Sequence, residues 1–242
     1  MIWGYDWVLA FRPAVWLLLH GQSPYVGTPE PFVNAPWALL PLIPFALLPE
    51  PYGLFTLGAV SLIAFWFIAV RLRARPIALT AFLLSPLILR CIWMGQIDWI
   101  PLLGIVLPPR VGLFFVATKP QTAGFLAVYW LHEAWKAHAI IKTFAPVTIL
   151  TLLSFVVFGF WPAHASTFEF TNGAWPWTIA ISVAMLYVAY LSKNSIFAVA
   201  ASPFAFPYAR PPSFAGMLLP LLNHSALMVI ACAAMWLVEV LK

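Results

Sequence analysis

From Tyr52 to Val70 the chain runs without a single charged residue, and comparable apolar stretches recur to its C-terminal end. A helix needs about 20 apolar residues to cross the hydrocarbon of a bilayer. Candidate spans run from Tyr52 to Val70, Pro76 to Trp93, Thr143 to Trp161, Trp177 to Leu191, Ser195 to Tyr208 and Ser225 to Leu241. Shorter apolar pieces run from Asp98 to Leu107, Val111 to Thr118 and Gln121 to Leu131. Pieces that short are tolerated in a membrane where they are broken and line a cavity inside the protein. Only 8% of the 242 residues are charged and 64% are hydrophobic, whereas a soluble domain carries about 25% charged residues. A water-soluble globule could not hide so much apolar surface. The expectation is an all-α, polytopic integral membrane protein with about eight or nine membrane-embedded helices, several of them broken.

The same composition excludes other classes. The pI near 9.4 rests on twelve Lys and Arg that are scattered or in one short cluster, so no basic face for nucleic acid arises. Cys91 and Cys232 both lie in apolar stretches and read as buried free thiols, not a staple. No C-x-x-C, H-E-x-x-H or Asp-x-Asp pair occurs, so neither a metal nor another cofactor is expected. Without a glycine-rich phosphate loop, a nucleotide donor has no support. MIWGYDWVLAFRPAVW has no basic segment followed by an apolar core, and is read as no cleavable signal peptide.

Lys and Arg set the orientation. Arg71, Arg73 and Arg75 form the strongest cluster and place their loop in the cytoplasm. Counting from there puts Arg110, Lys136, Lys142 and Lys193 inside as well. The first 50 residues, the Gly95-Gln96 corner, the Lys119-Pro120 break and the loop from His164 to Trp175 fall outside. Arg12, Arg90, Lys119 and Arg210 then stand on the outer side against the bias, and an anion site on that face would explain them. In the first 50 residues, segments 8–20 and 35–48 read as interfacial helices. Trp7, Val8, Phe11, Val15 and Leu18 recur there at helical spacing.

Asp6 and Asp98 are the only aspartates, and a carboxylate near lipid needs a partner or a task. Each has a plain reading as a helix cap. The sharper reading makes Asp6 a general base at the bilayer edge, beside cations that bind a phosphate. Lys119-Pro120-Gln121 interrupts an apolar stretch; Lys119 either snorkels or, with Gln121, holds a phosphate oxygen. Arg210 follows Tyr208 near the outer end of a span, Arg90 precedes the Gly95-Gln96 corner, and Gln96 and Asp98 stand where a broken helix begins. His164 and Glu169 lie in a loop where they either stay solvated or orient a sugar or headgroup. His132, Glu133, Lys136, His138 and Lys142 read as an amphipathic surface stretch.

Four segments together resemble GT-C glycosyltransferases, most closely the bacterial polyprenyl-phosphate-mannose-dependent mannosyltransferases. HGQSPYVGTPEPFVNAPWALLPLIPFALLP, from His20 to Pro49, resembles the stretch after that family's first outer loop. LSPLILRCIWMGQIDWIPLL, from Leu84 to Leu103, is similar to its "S-P … G-Q-x-[ND]" corner. Arg110 to Gln121, ending ATKPQ, resembles its "R … K-P-Q" element, and SPFAFPYARP, from Ser202 to Pro211, its late "S-P … Y" element. Each piece is short; their order and spacing carry the likeness.

The resemblance implies one GT-C-like membrane domain over residues 1–242, with 1–50 as outer loop and interfacial helices and 51–242 as the bundle. It implies transfer of a sugar, mannose in the nearest branch, from a polyprenyl-phosphate donor to a lipid or glycan acceptor. The enzyme would sit in the cytoplasmic membrane with its active face outside, its partners being membrane lipids and the lipid-linked sugar. Asp6 matches the family's base, an acid just before an interfacial helix. Lys119, Gln96 and Arg210 match positions near the donor phosphate. Two departures stand out. The span expected before Asp6 is missing because Met1 falls almost on that loop, and the piece between Leu103 and Val111 is only a few residues where the family completes two helices. The competing expectation is therefore a degenerate, non-catalytic membrane subunit that scaffolds other subunits. A lipid-transport role ranks last, for want of midplane acids and an internal repeat.

Overall fold

A computed structural model describes residues 3–167 and 173–241, with the side chains of 165–167 left aside. It is helical, with no strand among the described residues. In chain order, α1 is Arg12–Leu19, α2 Ile43–Ala46, α3 Glu50–Arg71, α4 Pro76–Leu83, α5 Pro86–Met94 and α6 Trp99–Leu103. Then come α7 Pro109–Val116, α8 Pro120–Lys136, α9 Ile140–Phe158, α10 Thr178–Ser192, α11 Ile196–Ala201 and α12 Ser225–Val240. A π-turn, Trp7–Phe11, leads into α1, and 3-10 segments include Pro36–Leu42, Ser202–Ala205 and Pro211–Leu221.

α3 shows why an uncharged run becomes a span. Its 22 residues extend about 33 Å at 1.5 Å per residue, enough for the hydrocarbon. Glu50 stands in its first turn and Arg71 in its last, each the favourable sign for the helix dipole. α9, with 19 residues, is the second helix long and apolar enough to cross. It begins at Ile140, three residues earlier than expected, and ends three residues early because Gly159, at φ 71°, stops it.

Eight or nine spans are not what forms. Among the described residues, two helices have the length and apolarity to cross, or three if α4 and α5 count as one span bent by 43°. Proline is the physical reason. Pro86 sits at the start of α5, and the Ser85 hydroxyl accepts a hydrogen bond from the Ile88 backbone, so the run expected from Pro76 to Trp93 is recapped midway. Likewise the run from Ser195 to Tyr208 is a six-residue α-helix followed by a 3-10 turn opening Ser202-Pro203. α10 and α12 are apolar but only 15 and 16 residues long.

Much apolar surface is left outward. Only 11% of the apolar window of α9 is buried inside the protein, and Ile141, Val156 and Val240 are each more than three-quarters exposed. Contiguous apolar faces of that size suit hydrocarbon, not water.

The N-terminal helix is placed by two glycines. Trp7, Ala10, Phe11, Ala14 and Val15 are buried, so the stripe read from the sequence faces the protein core. Gly4 donates its N–H to the Trp93 carbonyl at 2.8 Å, and Gly95 closes α5 in the left-handed conformation at φ 69°. A Cβ on Gly95 would lie 2.5 Å from Trp7 Cβ and 3.1 Å from Leu54 Cδ1. Gly95→Ala therefore combines a strained backbone with an overlap against the neighbouring helix. We expect a loss of about 1–3 kcal/mol, read as a lower thermal unfolding midpoint in detergent. An unchanged midpoint would show that the Trp7 segment yields at no cost.

Candidate functional site

The crossing at Gly95 sets the π-turn against the α5–α6 corner, and there the chain gathers its scarce polar groups. Past the glycine, Gln96 turns back with its N–H on the Cys91 carbonyl at 2.9 Å, which leaves its side chain facing Asp6. Gln96 Nε2 donates to Asp6 Oδ2 at 2.7 Å, and Gln96 Oε1 accepts from Lys119 Nζ at 2.7 Å. Lys119 Nζ also donates to Asp98 Oδ2 at 2.7 Å, and Thr122 Oγ1 to Asp98 Oδ1 at 2.6 Å. Arg210 Nη1 stands 3.2 Å from Asp6 Oδ1. Asp6, Gln96, Asp98, Lys119 and Thr122 are all buried.

Each side chain arrives from a break in a helix. Pro120 forces Lys119 out of the α region, to φ −149° and ψ 81°, so the lysine sits at a corner between α7 and α8. Arg210 ends the extended link after Ser202–Ala205 and starts the next 3-10 segment. The breaks that shorten the spans thus supply the site.

A small cavity of about 50 Å³, below the usual range for small-molecule sites, is lined by Asp6, Gln96, Lys119, Gln121, Tyr208 and Arg210 from the sequence-derived set. Asp98 stands behind it, bonded to Lys119. Neither aspartate caps a helix through its side chain; the cap readings give way to long-range pairing. Burial pushes the Asp6 carboxyl above the usual range, against the pull of Lys119, Arg210 and the Gln96 hydrogen bond. The formal charges of Asp6, Asp98, Lys119 and Arg210 cancel.

Compared with protein-family models, curated proteins and solved structures, the chain matches none. The site therefore stands on its own geometry.

Two of the expected residues are not brought to this pocket. Arg90 pairs with Glu239 at 3.0 Å beside a separate groove between α5 and α12. His164 stacks on Tyr25, ring centroids 5.2 Å apart. Glu169 lies outside the described residues. His132, Glu133 and Lys136 pair among themselves on the surface, and Cys91 and Cys232 are buried and free. Among the described residues no three His, Cys, Asp or Glu side chains gather as a metal site.

Sequence reasoning missed Asn34, Ser213 and Thr122, of which the first two line the pocket. It also missed Glu30, which accepts a hydrogen bond from the Tyr5 hydroxyl next to Asp6. Thr122 was within reach, since it stands one turn after Lys119 in the helix that Pro120 opens.

Proposed function

We propose that the chain is a GT-C-like glycosyltransferase of the cytoplasmic membrane that takes a sugar from a polyprenyl-phosphate donor at the extracytoplasmic face. The observation that carries this reading is a buried carboxylate, Asp6, sharing one pocket with Arg210 and with the Lys119 ammonium that Gln96 links to it. Asp6 takes the proton of an acceptor hydroxyl as that oxygen attacks the anomeric carbon. The bond from that carbon to the donor phosphate oxygen breaks, and the phosphate leaves with the bonding pair. Lys119 and Arg210 offset its growing charge in a site with little water. One displacement inverts the anomeric configuration. The shortened helices line the cavity in this reading.

Two observations favour the second reading, a non-catalytic membrane subunit. The four charges already cancel, as they do in a purely structural network, and the outer face of α9 is open for another subunit. Transfer of labelled sugar from prenyl-phosphate donors into membrane lipid, native chain against Asp6→Asn at equal expression, separates the two. Activity lost in the variant supports the enzyme; none in either, with the protein folded and several donors tried, supports the subunit.

A further inference from the structure

The groove between α5 and α12 shares no lining residue with the Asp6 cavity. Its volume is about 320 Å³, and Leu87, Pro211, Ala234, Met235 and Val238 line it together with Arg90 and Glu239. Three contacts fix its place along the bundle. The Arg75 N–H donates to the Leu222 carbonyl at 3.0 Å, the Cys232 thiol to the Ala81 carbonyl at 3.2 Å, and the Trp236 indole to the Leu84 carbonyl at 3.1 Å. α12 therefore runs beside α4 and α5 in the same sense, and Arg90 and Glu239 stand at the end of the groove nearer the Gly95 corner. From Leu222 to Glu239 is about 25 Å at 1.5 Å per residue, close to the thickness of the hydrocarbon. Trp93, one turn past Arg90, is exposed with Trp3 beside it, ring centroids 6.4 Å apart, as aromatic residues are at headgroup level. The ion pair thus lies at the depth of lipid headgroups, with an apolar wall running from it toward the middle of the bilayer.

Arg90 Nη2 stands 3.0 Å from Glu239 Oε1, and the two side chains are 26% and 33% exposed. Neither is sealed off from whatever covers the groove. A guanidinium carries five N–H donors and an ionised carboxylate has about four acceptor sites, so pairing with one another leaves both with capacity. At the edge of the hydrocarbon, unfilled capacity on a charged group is costly. The ligand that fills it brings an anionic acceptor for Arg90, N–H donors for Glu239 and an apolar chain for the wall. A purely anionic headgroup meets Glu239 as a like charge, and a quaternary ammonium offers no N–H.

We propose that this groove is a specific site for phosphatidylethanolamine, its phosphate on Arg90, its primary ammonium on Glu239, and the first part of an acyl chain along Leu87 and Met235. Charge complementarity carries the choice: the residue pair and the headgroup each set one positive charge beside one negative. The bound lipid bridges α5 and α12. The site stands apart from the glycosyltransferase reading, since neither Arg90 nor Glu239 lines the Asp6 cavity.

The test is native mass spectrometry of the purified full chain, delipidated in detergent, with dioleoyl phosphatidylethanolamine, phosphatidylcholine, phosphatidylglycerol and farnesyl phosphate. One phosphatidylethanolamine binds about 3- to 10-fold tighter than either other phospholipid, the worth of one hydrogen bond to a partly exposed charge. Glu239→Met removes the preference over phosphatidylcholine. Arg90→Met weakens the ethanolamine and choline lipids alike, because both present a phosphate. These two substitutions also cut a tie between α5 and α12, so Ala234→Trp supplies the check. Ala234 is exposed, and a tryptophan there fills the groove, leaves the ion pair in place and abolishes the tight site while the lipid-free melting temperature holds. If Glu239→Met does not fold, Ala234→Trp alone decides. Equal binding of the three phospholipids, or a preference that survives either substitution in a folded chain, overturns the proposal. Tightest binding of phosphatidylglycerol overturns it in favour of an anionic-lipid site, and tightest binding of farnesyl phosphate at this groove in favour of a prenyl lipid.

Discussion

Asp98→Ala lowers stability by about 3–5 kcal/mol, the usual cost of breaking a buried ion pair by removing one partner. Asp98 is fully buried and Lys119 is 5% exposed, with 2.7 Å between Nζ and Oδ2. Without the carboxylate, a buried ammonium keeps only the Gln96 amide oxygen, and Thr122 loses its acceptor. The penalty comes from the stranded charge more than from the lost attraction. Asp98→Ala/Lys119→Met therefore regains most of the loss, because no uncompensated ion remains. Thermal unfolding in detergent reads both variants. A double variant no more stable than Asp98→Ala would mean that Asp98 acts through packing or Thr122 and not through Lys119.

That pair also shows what the sequence could and could not convey. The uncharged run in α3 and its charged ends are local facts, and the helix forms where they predict. Periodicity carries the stripe of Trp7, Phe11 and Val15 but not which surface it meets. Apolar composition alone reads α4 and α5 as one span, because hydropathy averages across Ser85-Pro86, where the helix is capped and restarted. Arg12, Arg90, Lys119 and Arg210 were legible as cations that the charge reading left on the outer face; their partners were not. Lys119 and Arg210 reach the pocket, while Arg12 lies 3.8 Å from Glu50 and Arg90 3.0 Å from Glu239. Nothing local distinguishes these cases, since each partner comes from a distant part of the chain. Asn34 and Ser213 carry no charge and no motif, so only their placement in the folded pocket singles them out. Asp6, Gln96, Lys119 and Arg210 are singled out one by one, by residue type and by their place at helix breaks; the three-dimensional path between them runs through Gly95 and Pro120.

If the chain is the proposed glycosyltransferase with Asp6 as its base, Asp6→Asn cuts transfer about 10²- to 10⁴-fold, the range for losing a positioned general base. The pH dependence gives a second, independent readout. The active form is the carboxylate, so activity falls as pH drops through the folded pKa of Asp6. Burial holds that value above the ordinary range, and the acid limb of the native profile accordingly lies at higher pH than a solvated aspartate would give. Arg210→Gln removes a neighbouring cation that favours the charged form, and so moves the limb higher still. Stability runs the other way. With a raised folded pKa, the protonated carboxyl favours the folded state; its contribution is fully present below the unfolded pKa and is lost as pH rises through the folded one. Across that window the chain gains activity while losing this part of its stability, and Asp6→Asn removes both trends together. A limb that stays in place in Arg210→Gln, or an Asp6→Asn chain with native rates, would assign the proton transfer to another group.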